Sequence, residues 1–273
     1  MVTSSWQGKV VVVTGGSSGL GKAIAEAFAA RGAHVVIAAR RADALAKTAD
    51  ELRAKGSEVA VVAADVTRDD DVARLFAKTI ERFGRLNVLV NNVGRSMRRQ
   101  VGETTADDFR ELLELNFLAV VRCTHAALPH LLATRGHLVN IGSLAGKSAA
   151  RFVGAYPATK FAVTAYSQQL RLELGPQGLH VLLVCPGPIA RHEPRGPERQ
   201  LRGDTSDGLP ASAYKPGAGV RTKALSPERL AQEIVRACET RRSELVRPRL
   251  ARLLFAVAQL SPGLGDWLVK RLT

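Results

Sequence analysis

Lys9-Val10-Val11-Val12-Val13-Thr14-Gly15-Gly16-Ser17-Ser18-Gly19-Leu20-Gly21 carries the strongest fold signal in the chain. Four consecutive valines are β-branched, and a run without polar alternation reads as a strand buried on both faces, as in a parallel sheet. A glycine turn follows at once, and Lys22-Ala23-Ile24-Ala25-Glu26-Ala27-Phe28-Ala29-Ala30-Arg31 then reads as a helix. Strand, tight turn and helix make the opening βα unit of a nucleotide-binding sheet. A side chain at Gly15 or Gly19 would hold the backbone away from a pyrophosphate. One at Gly21 would push the helix off the strand. The first N–H groups of that helix have no partner inside it and can face phosphate oxygens. Ser17 and Ser18 add hydroxyl donors, and Leu20 completes the candidate cradle.

The bulk numbers bound the rest. A chain of 273 residues, 46% hydrophobic, can bury the full core of one α/β domain. Cys123, Cys185 and Cys238 are widely separated, so neither a disulfide framework nor a zinc site is suggested, which fits a reducing, cytoplasmic setting. No signal peptide is expected, since a charged n-region and a cleavage site are lacking. No apolar run approaches the roughly 18 residues needed to span a bilayer. The formal net charge of +14 could attract nucleic acid, anionic lipid or an anionic cofactor. The basic residues are scattered without interleaved aromatics, so a solvated surface is the plainer reading and no nucleic-acid partner is expected.

Two further stretches carry chemistry. His34-Val35-Val36-Ile37-Ala38-Ala39 reads as the second strand, whose end is where dinucleotide folds meet the adenosine ribose. A carboxylate there would bond a free 2′-hydroxyl and repel a 2′-phosphate. This chain has Ala39 followed by Arg40 and Arg41, and guanidinium groups suit a phosphate. NADP(H) is therefore expected in preference to NAD(H). Further on, His137 to Ser143 reads as a strand with Ser143 at its end, and Tyr156-Pro157-Ala158-Thr159-Lys160 follows thirteen residues after that serine. Tyr156 and Lys160, at i and i+4, share one helix face. A free tyrosine titrates near ~10. A neighbouring ammonium favours the phenolate and brings that value toward neutrality. Tyr156 could then give a proton to a carbonyl oxygen or take one from an alcohol, with Ser143 orienting that oxygen.

The pattern Thr14-Gly15-x-x-x-Gly19-x-Gly21, with Ser143 and Tyr156-x-x-x-Lys160 downstream, resembles the short-chain dehydrogenase/reductase family from about Lys9 to Ile189. The resemblance implies a catalytic set of Asn116, Ser143, Tyr156 and Lys160. Ser143 and Tyr156 would face the substrate, Lys160 would hold the nicotinamide ribose, and Asn116 would hold a relay water. It also implies that Asp65 and Val66, at the end of a third strand, lie against adenine, although Asp65 could equally serve the loop before the Asp69–Phe83 helix. Asn91-Asn92-Val93-Gly94 is similar to the family's Asn-Asn-Ala-Gly, placing Asn92 and Gly94 on the cofactor wall. Pro186, Gly187 and Ile189 match the turn beside the nicotinamide, while Arg191 stands where a threonine is common. Cys185-Pro186-Gly187-Pro188-Ile189 resembles the branch that holds membrane-associated steroid and lipid carbonyl reductases.

Three regions lie outside those motifs. Thr105 to Thr134 reads as one long helix, with Asn116 among Leu112, Leu113, Leu115, Phe117 and Leu118, and hence buried. Residues 190–224 form a Pro- and Gly-rich stretch of a length expected for a substrate lid. From Arg249, Leu250, Leu253, Leu254 and Val257 form one apolar stripe, and Leu264, Trp267, Leu268 and Leu272 a second. Packing on the body or another subunit, and lying on an anionic membrane, are both open for this tail. The expectation is one doubly wound parallel α/β domain of Rossmann type over residues 1–248, with a basic helical extension over 249–273. Its expected activity is NADP(H)-dependent interconversion of a carbonyl, such as an apolar ketone or aldehyde, with a secondary alcohol, in a homo-oligomer and without metal. A non-enzymatic NADP(H)-binding protein on the same fold is the alternative.

Overall fold

The computed structural model describes residues 5–190, 209–214 and 223–272. Its frame is a seven-stranded parallel sheet in the order β3-β2-β1-β4-β5-β6-β7. The strands are β1 (Val10–Thr14), β2 (His34–Ala39), β3 (Val59–Ala63), β4 (Val88–Asn91), β5 (His137–Ile141), β6 (His180–Pro186) and β7 (Glu244–Arg247). Helices cover both faces: α1 (Gly19–Ala29), α2 (Ala42–Arg53), α3 (Asp69–Phe83), α4 (Ala106–Leu113), α5 (Ala119–Ala133), α6 (Tyr156–Leu174) and α7 (Pro227–Glu239). This is the doubly wound architecture expected from the sequence.

The valine run shows why both faces are filled. Side chains alternate along a strand. Val11 and Val13 join Ile24 and Phe28 of α1 and Leu230 and Ile234 of α7. Val10 and Val12 join Leu75 and Phe76 of α3 and Cys123 and Ala127 of α5. The chain leaves β1 toward β2 on one side, and β4 returns on the other. That reversal opens a crevice at the C-terminal ends of β1 and β4, the usual ligand site of an open α/β sheet.

The long helix over Thr105–Thr134 is not continuous. Residues Glu114–Leu118 form a π turn between α4 and α5. Asn116, at its centre, is fully buried. Thr105 caps α4 by accepting a bond from the Asp108 N–H, and Ser226 caps α7 through the Arg229 N–H. The lid over 190–224 lies mostly outside the described residues, as does Arg191. What is described there is a short turn over Ala211–Tyr214 with Ala213 buried, and a bridge from Ile189 to Leu225.

The tail forms α8 (Ala251–Leu260) and α9 (Pro262–Leu272). A Cβ on Gly265 would lie 2.6 Å from the Ala258 Cα, so the two helices cross in contact at that point. The expected apolar stripe does not face the body as a unit. Ala251 and Phe255 pack against Val163, Cys185 and Val246, whereas Leu250 and Leu253 are exposed, at 76% and 67%. The helix therefore has two apolar faces, and a period read from sequence cannot say which one turns inward. Among the described residues no helix is long and apolar enough to cross a membrane.

Candidate active site

The turn after β1 is built by close backbone contact. Gly15 and Gly19 adopt positive φ values of 65° and 51°, a region that costs glycine least. A Cβ on Gly21 would lie 2.1 Å from the Gly15 carbonyl oxygen. Gly21 therefore lets α1 seat on the turn, as its position predicts. A Cβ on Gly19 would meet nothing within 4 Å, so that glycine faces open space above the turn. Gly16 adds a constraint that sequence reasoning passed over, because its Cβ would fall 2.8 Å from Ile37. Asn92 braces the same turn. Its N–H donates to Thr14 Oγ1 at 3.0 Å and its Nδ2 to the Thr14 carbonyl at 3.2 Å. Ser18 is exposed and makes no side-chain cap bond, Ser17 is half-buried, and the Leu20 side chain is buried in the core.

At the far end of the crevice, Arg40 and Arg41 are exposed. Among the described residues neither guanidinium has a hydrogen bond or an ion pair. Asp65 is partly committed to its own loop, since its Oδ1 accepts from the Thr67 N–H at 3.0 Å and the Thr67 hydroxyl at 2.8 Å. Its loop role is thus observed, and Val66 beside it is buried.

The chemical centre is held by a chain of buried amides. Asn91 Nδ2 donates to Thr124 Oγ1 (3.2 Å) and Asn140 Oδ1 (3.0 Å), tying β4 to β5. Asn140 Nδ2 in turn donates to Ser167 on α6 at 2.9 Å. Asn116 Oδ1 accepts from the Arg95 N–H (2.9 Å), while its Nδ2 donates to the Arg95 carbonyl (2.9 Å) and to Thr159 Oγ1 (3.1 Å). A fully buried amide must spend its groups in this way. The side chain thus works as a strut between the π turn, the loop after β4 and α6. The relay-water role implied by resemblance would not fall to its amide NH2, which is already committed. Thr159, one residue before Lys160, is the partner that sequence reasoning missed. Its signal was a polar side chain in the Tyr-x-x-x-Lys spacer.

Ser143, Tyr156 and Lys160 converge above the end of β5. Ser143 sits two residues beyond the strand, where its Oγ accepts from the Ala145 N–H at 3.1 Å, and its hydroxyl is close enough to the Tyr156 phenol to draw the phenol's pKa down against burial. Gly146 lets this turn lie against α6, because a Cβ there would fall 2.5 Å from the Lys160 carbonyl oxygen. Lys160 is buried and its Nζ donates to the Ile141 carbonyl at 2.9 Å. Burial brings its pKa down to about 8. Burial also raises Tyr156, opposed by the Ser143 hydroxyl and by the charge of Arg98. The expected lowering of the tyrosine by Lys160 is thus not what dominates. The phenol keeps its proton at neutral pH; Arg98 draws its pKa down against burial, and the Lys160 ammonium lies 5.9 Å from the Tyr156 ring centroid.

Arg98 comes from the loop of three arginines after Gly94. Arg95 pairs with Glu111 at 2.7 Å and Arg99 with Asp108. Arg98 is fixed by bonds to the carbonyls of Ala213 and Met97, at 2.8 and 2.9 Å. Gly94 brings the backbone close to the centre, since a Cβ there would lie 3.0 Å from Asn116 Oδ1 and 3.5 Å from Lys160 Nζ. On the other wall, Gly187 donates to the Arg247 carbonyl (2.8 Å), and the Leu225 N–H to that of Pro188 (2.8 Å). Pro186 is buried, and Ile189 is half-buried beside Leu225.

The family model described as short chain dehydrogenase matches residues 9–196. The chain belongs to this family. It is 42% identical over 190 residues to the L-fucose dehydrogenase of Bos taurus, which covers 67% of each chain. The chain spans about two thirds of the length of the L-fucose dehydrogenases it matches. It is 34% identical over 272 residues to 11-beta-hydroxysteroid dehydrogenase A of Sesamum indicum, covering 96% of this chain and 75% of that one. A short-chain dehydrogenase/reductase of Burkholderia phymatum, solved in complex with NAD, superposes with a TM-score of 0.81 at 29% identity, covering 95% and 96% of the two chains. The protein is thus a short-chain dehydrogenase, and the family's oxidoreductase chemistry and its use of NAD or NADP apply to it at that level.

Proposed function

We propose that the protein is an NADP(H)-dependent reductase of an apolar ketone or aldehyde. The observation that carries the carbonyl chemistry is the convergence of a protonated Tyr156 with Ser143 and with Lys160, whose Nζ lies 5.9 Å from the Tyr156 ring. The turn fits a dinucleotide, because Gly15 and Gly19 hold positive φ and Gly19 leaves open space where a diphosphate would approach. When bound, the nicotinamide supplies hydride to the carbonyl carbon. Tyr156 gives its proton to the carbonyl oxygen, and Ser143 donates a hydrogen bond to the same oxygen. A phenol raised by burial is the correct protonation state for this direction at neutral pH. Lys160 and Gly94 would face the nicotinamide ribose, and Asn116 keeps the π turn and Arg95 in register with α6.

The NADPH reading is supported by Arg40 and Arg41, which have no partner among the described residues and no neighbouring acid at Ala39. Both named relatives have a hydroxyl-bearing compound in their names, one a sugar and one a steroid. The apolar class is chosen here for the tail. Leu250, Leu253, Leu260, Leu264 and Trp267 are exposed, among Arg249, Arg252, Lys270 and Arg271, the last stacked 4.2 Å from the Trp267 ring. An apolar face rimmed with basic side chains suits an anionic bilayer surface. Phe161 and Leu172, eleven residues apart on one face of α6, are also exposed and support self-association. The test is cofactor consumption against a panel of ketones and aldehydes, with NADPH preferred over NADH. Co-sedimentation with anionic vesicles tests the tail. The full chain should pellet at low salt and a chain ending at Pro248 should not, whereas a full chain that stays in the supernatant removes the membrane contact.

A further inference from the structure

The N-terminal edge of the sheet, opposite the catalytic crevice, carries a cluster that the proposed reaction does not use. His137 opens β5, His180 opens β6, and the two are register partners in adjacent parallel strands. Their side chains therefore leave the same face of the sheet. Nδ1 of His137 lies 2.8 Å from Nδ1 of His180. Cys238, on the helix that covers this face, is fully buried, and its Sγ and one ring nitrogen from each histidine lie within 4.8 Å of one another. Trp6 closes one side, its ring 5.3 Å from that of His137, held by a bond from Nε1 to Glu239 at 2.8 Å.

The hydrogen bonds fix one ring. Nε2 of His180 lies 2.8 Å from the Arg242 carbonyl oxygen. A carbonyl only accepts, so Nε2 carries the proton and Nδ1 turns its lone pair toward His137. A second-nitrogen bond to a backbone carbonyl is the outer contact that metal-ligating imidazoles usually make.

We propose that His137 Nδ1, His180 Nδ1 and Cys238 Sγ form a three-coordinate site for a soft monovalent cation, copper(I). Two neutral imidazoles, one thiolate and one copper(I) sum to zero charge, so the filled pocket buries no net charge. Zinc would leave a positive charge there and lack its usual fourth ligand. Arg241 and Lys9 already bring positive charge to His137, and Glu239 brings negative charge to Cys238. Burial keeps His137 neutral, with a pKa near 3, and keeps Cys238 a thiol until a metal displaces its proton. One copper(I) enters and one thiol proton leaves, while His137 moves its own proton from Nδ1 to Nε2. Copper stays in the +1 state. The two nitrogens would open to roughly 3.5 Å for two bonds of about 2.0 Å in trigonal geometry. The filled site clamps β5 and β6 to α7, at the opposite end of β5 from Ser143.

The test is anaerobic titration of the full chain with copper(I) against a chromophoric copper(I) chelator. The unmodified protein should hold one equivalent, and His180→Gln and Cys238→Ser should each weaken binding at least tenfold. Cys123→Ser, a buried cysteine outside the cluster, should leave it unchanged. X-ray absorption of the loaded, unmodified protein should show two nitrogens and one sulfur, which keeps the proposal testable if a variant fails to fold. A protein that yields all its copper to the chelator overturns the proposal. So does unchanged affinity in folded His180→Gln and Cys238→Ser, or a coordination shell without sulfur.

Discussion

The two ends of the crevice are built differently. Around Tyr156 the polar groups are buried and bonded in advance, with Asn116 making three hydrogen bonds and Lys160 bound to the Ile141 carbonyl. At the other end, after β2, Arg40 and Arg41 stand in solvent with no partner among the described residues. The centre of reaction is thus organised by the folded core, and its geometry costs nothing further when substrate arrives. Under the proposed NADP(H) reading, cofactor choice would fall to exposed side chains whose contacts form with a phosphate. Mutations at the first end should act on fold and turnover together. Those at the second should act on cofactor affinity alone.

The largest effect should follow Asn116→Ala. Removing a fully buried amide leaves the Arg95 backbone groups without their partner, at about 1–3 kcal/mol for each buried group left unsatisfied. Stability should fall by several kcal/mol in urea titration, and turnover should fall with it. Normal stability in this variant would break the claim that the centre is organised by the core. Arg40→Ala should leave stability unchanged within ~0.5 kcal/mol. It should lower the preference for NADPH over NADH by one charge-assisted contact, roughly 1.5–3 kcal/mol, read as the ratio of the two dissociation constants.

A smaller effect concerns pH. Burial holds Lys160 at about 8 against an ordinary 10.5. Below pH 8 both folded and unfolded chains hold the proton, and the folded state carries the full cost of the buried charge. Between pH 8 and 10.5 the unfolded chain binds more protons, so this cost is relieved as pH rises. The stability of the unmodified protein relative to Lys160→Met should therefore increase across that window. A flat difference between the two would return Lys160 to its ordinary value.

What was legible in the sequence divides along the same line. The valine strand, the glycine turn and the Tyr156–Lys160 spacing are local, and each is set by steric or helical periodicity within a few residues. The buried state of Asn116 could be inferred from the leucines around it, but the π turn could not, because it depends on the Arg95 backbone some twenty positions earlier. The same holds for Arg98, one of three similar arginines, whose bond to the Ala213 carbonyl joins residues more than a hundred positions apart. The His137–His180 pair was invisible because it arises from strand register. In the tail, Phe255 and Leu253 have similar apolar character, and only the position of β7 and α6 decides which turns inward.

The central claim is that Tyr156 is the proton donor while other residues hold the dinucleotide. Its most direct test measures NADPH affinity and single-turnover reduction in parallel for the unmodified protein and Tyr156→Phe, with a carbonyl substrate found by the panel. NADPH affinity should be nearly unchanged, with turnover lowered by orders of magnitude. Near-normal turnover in Tyr156→Phe would contradict it.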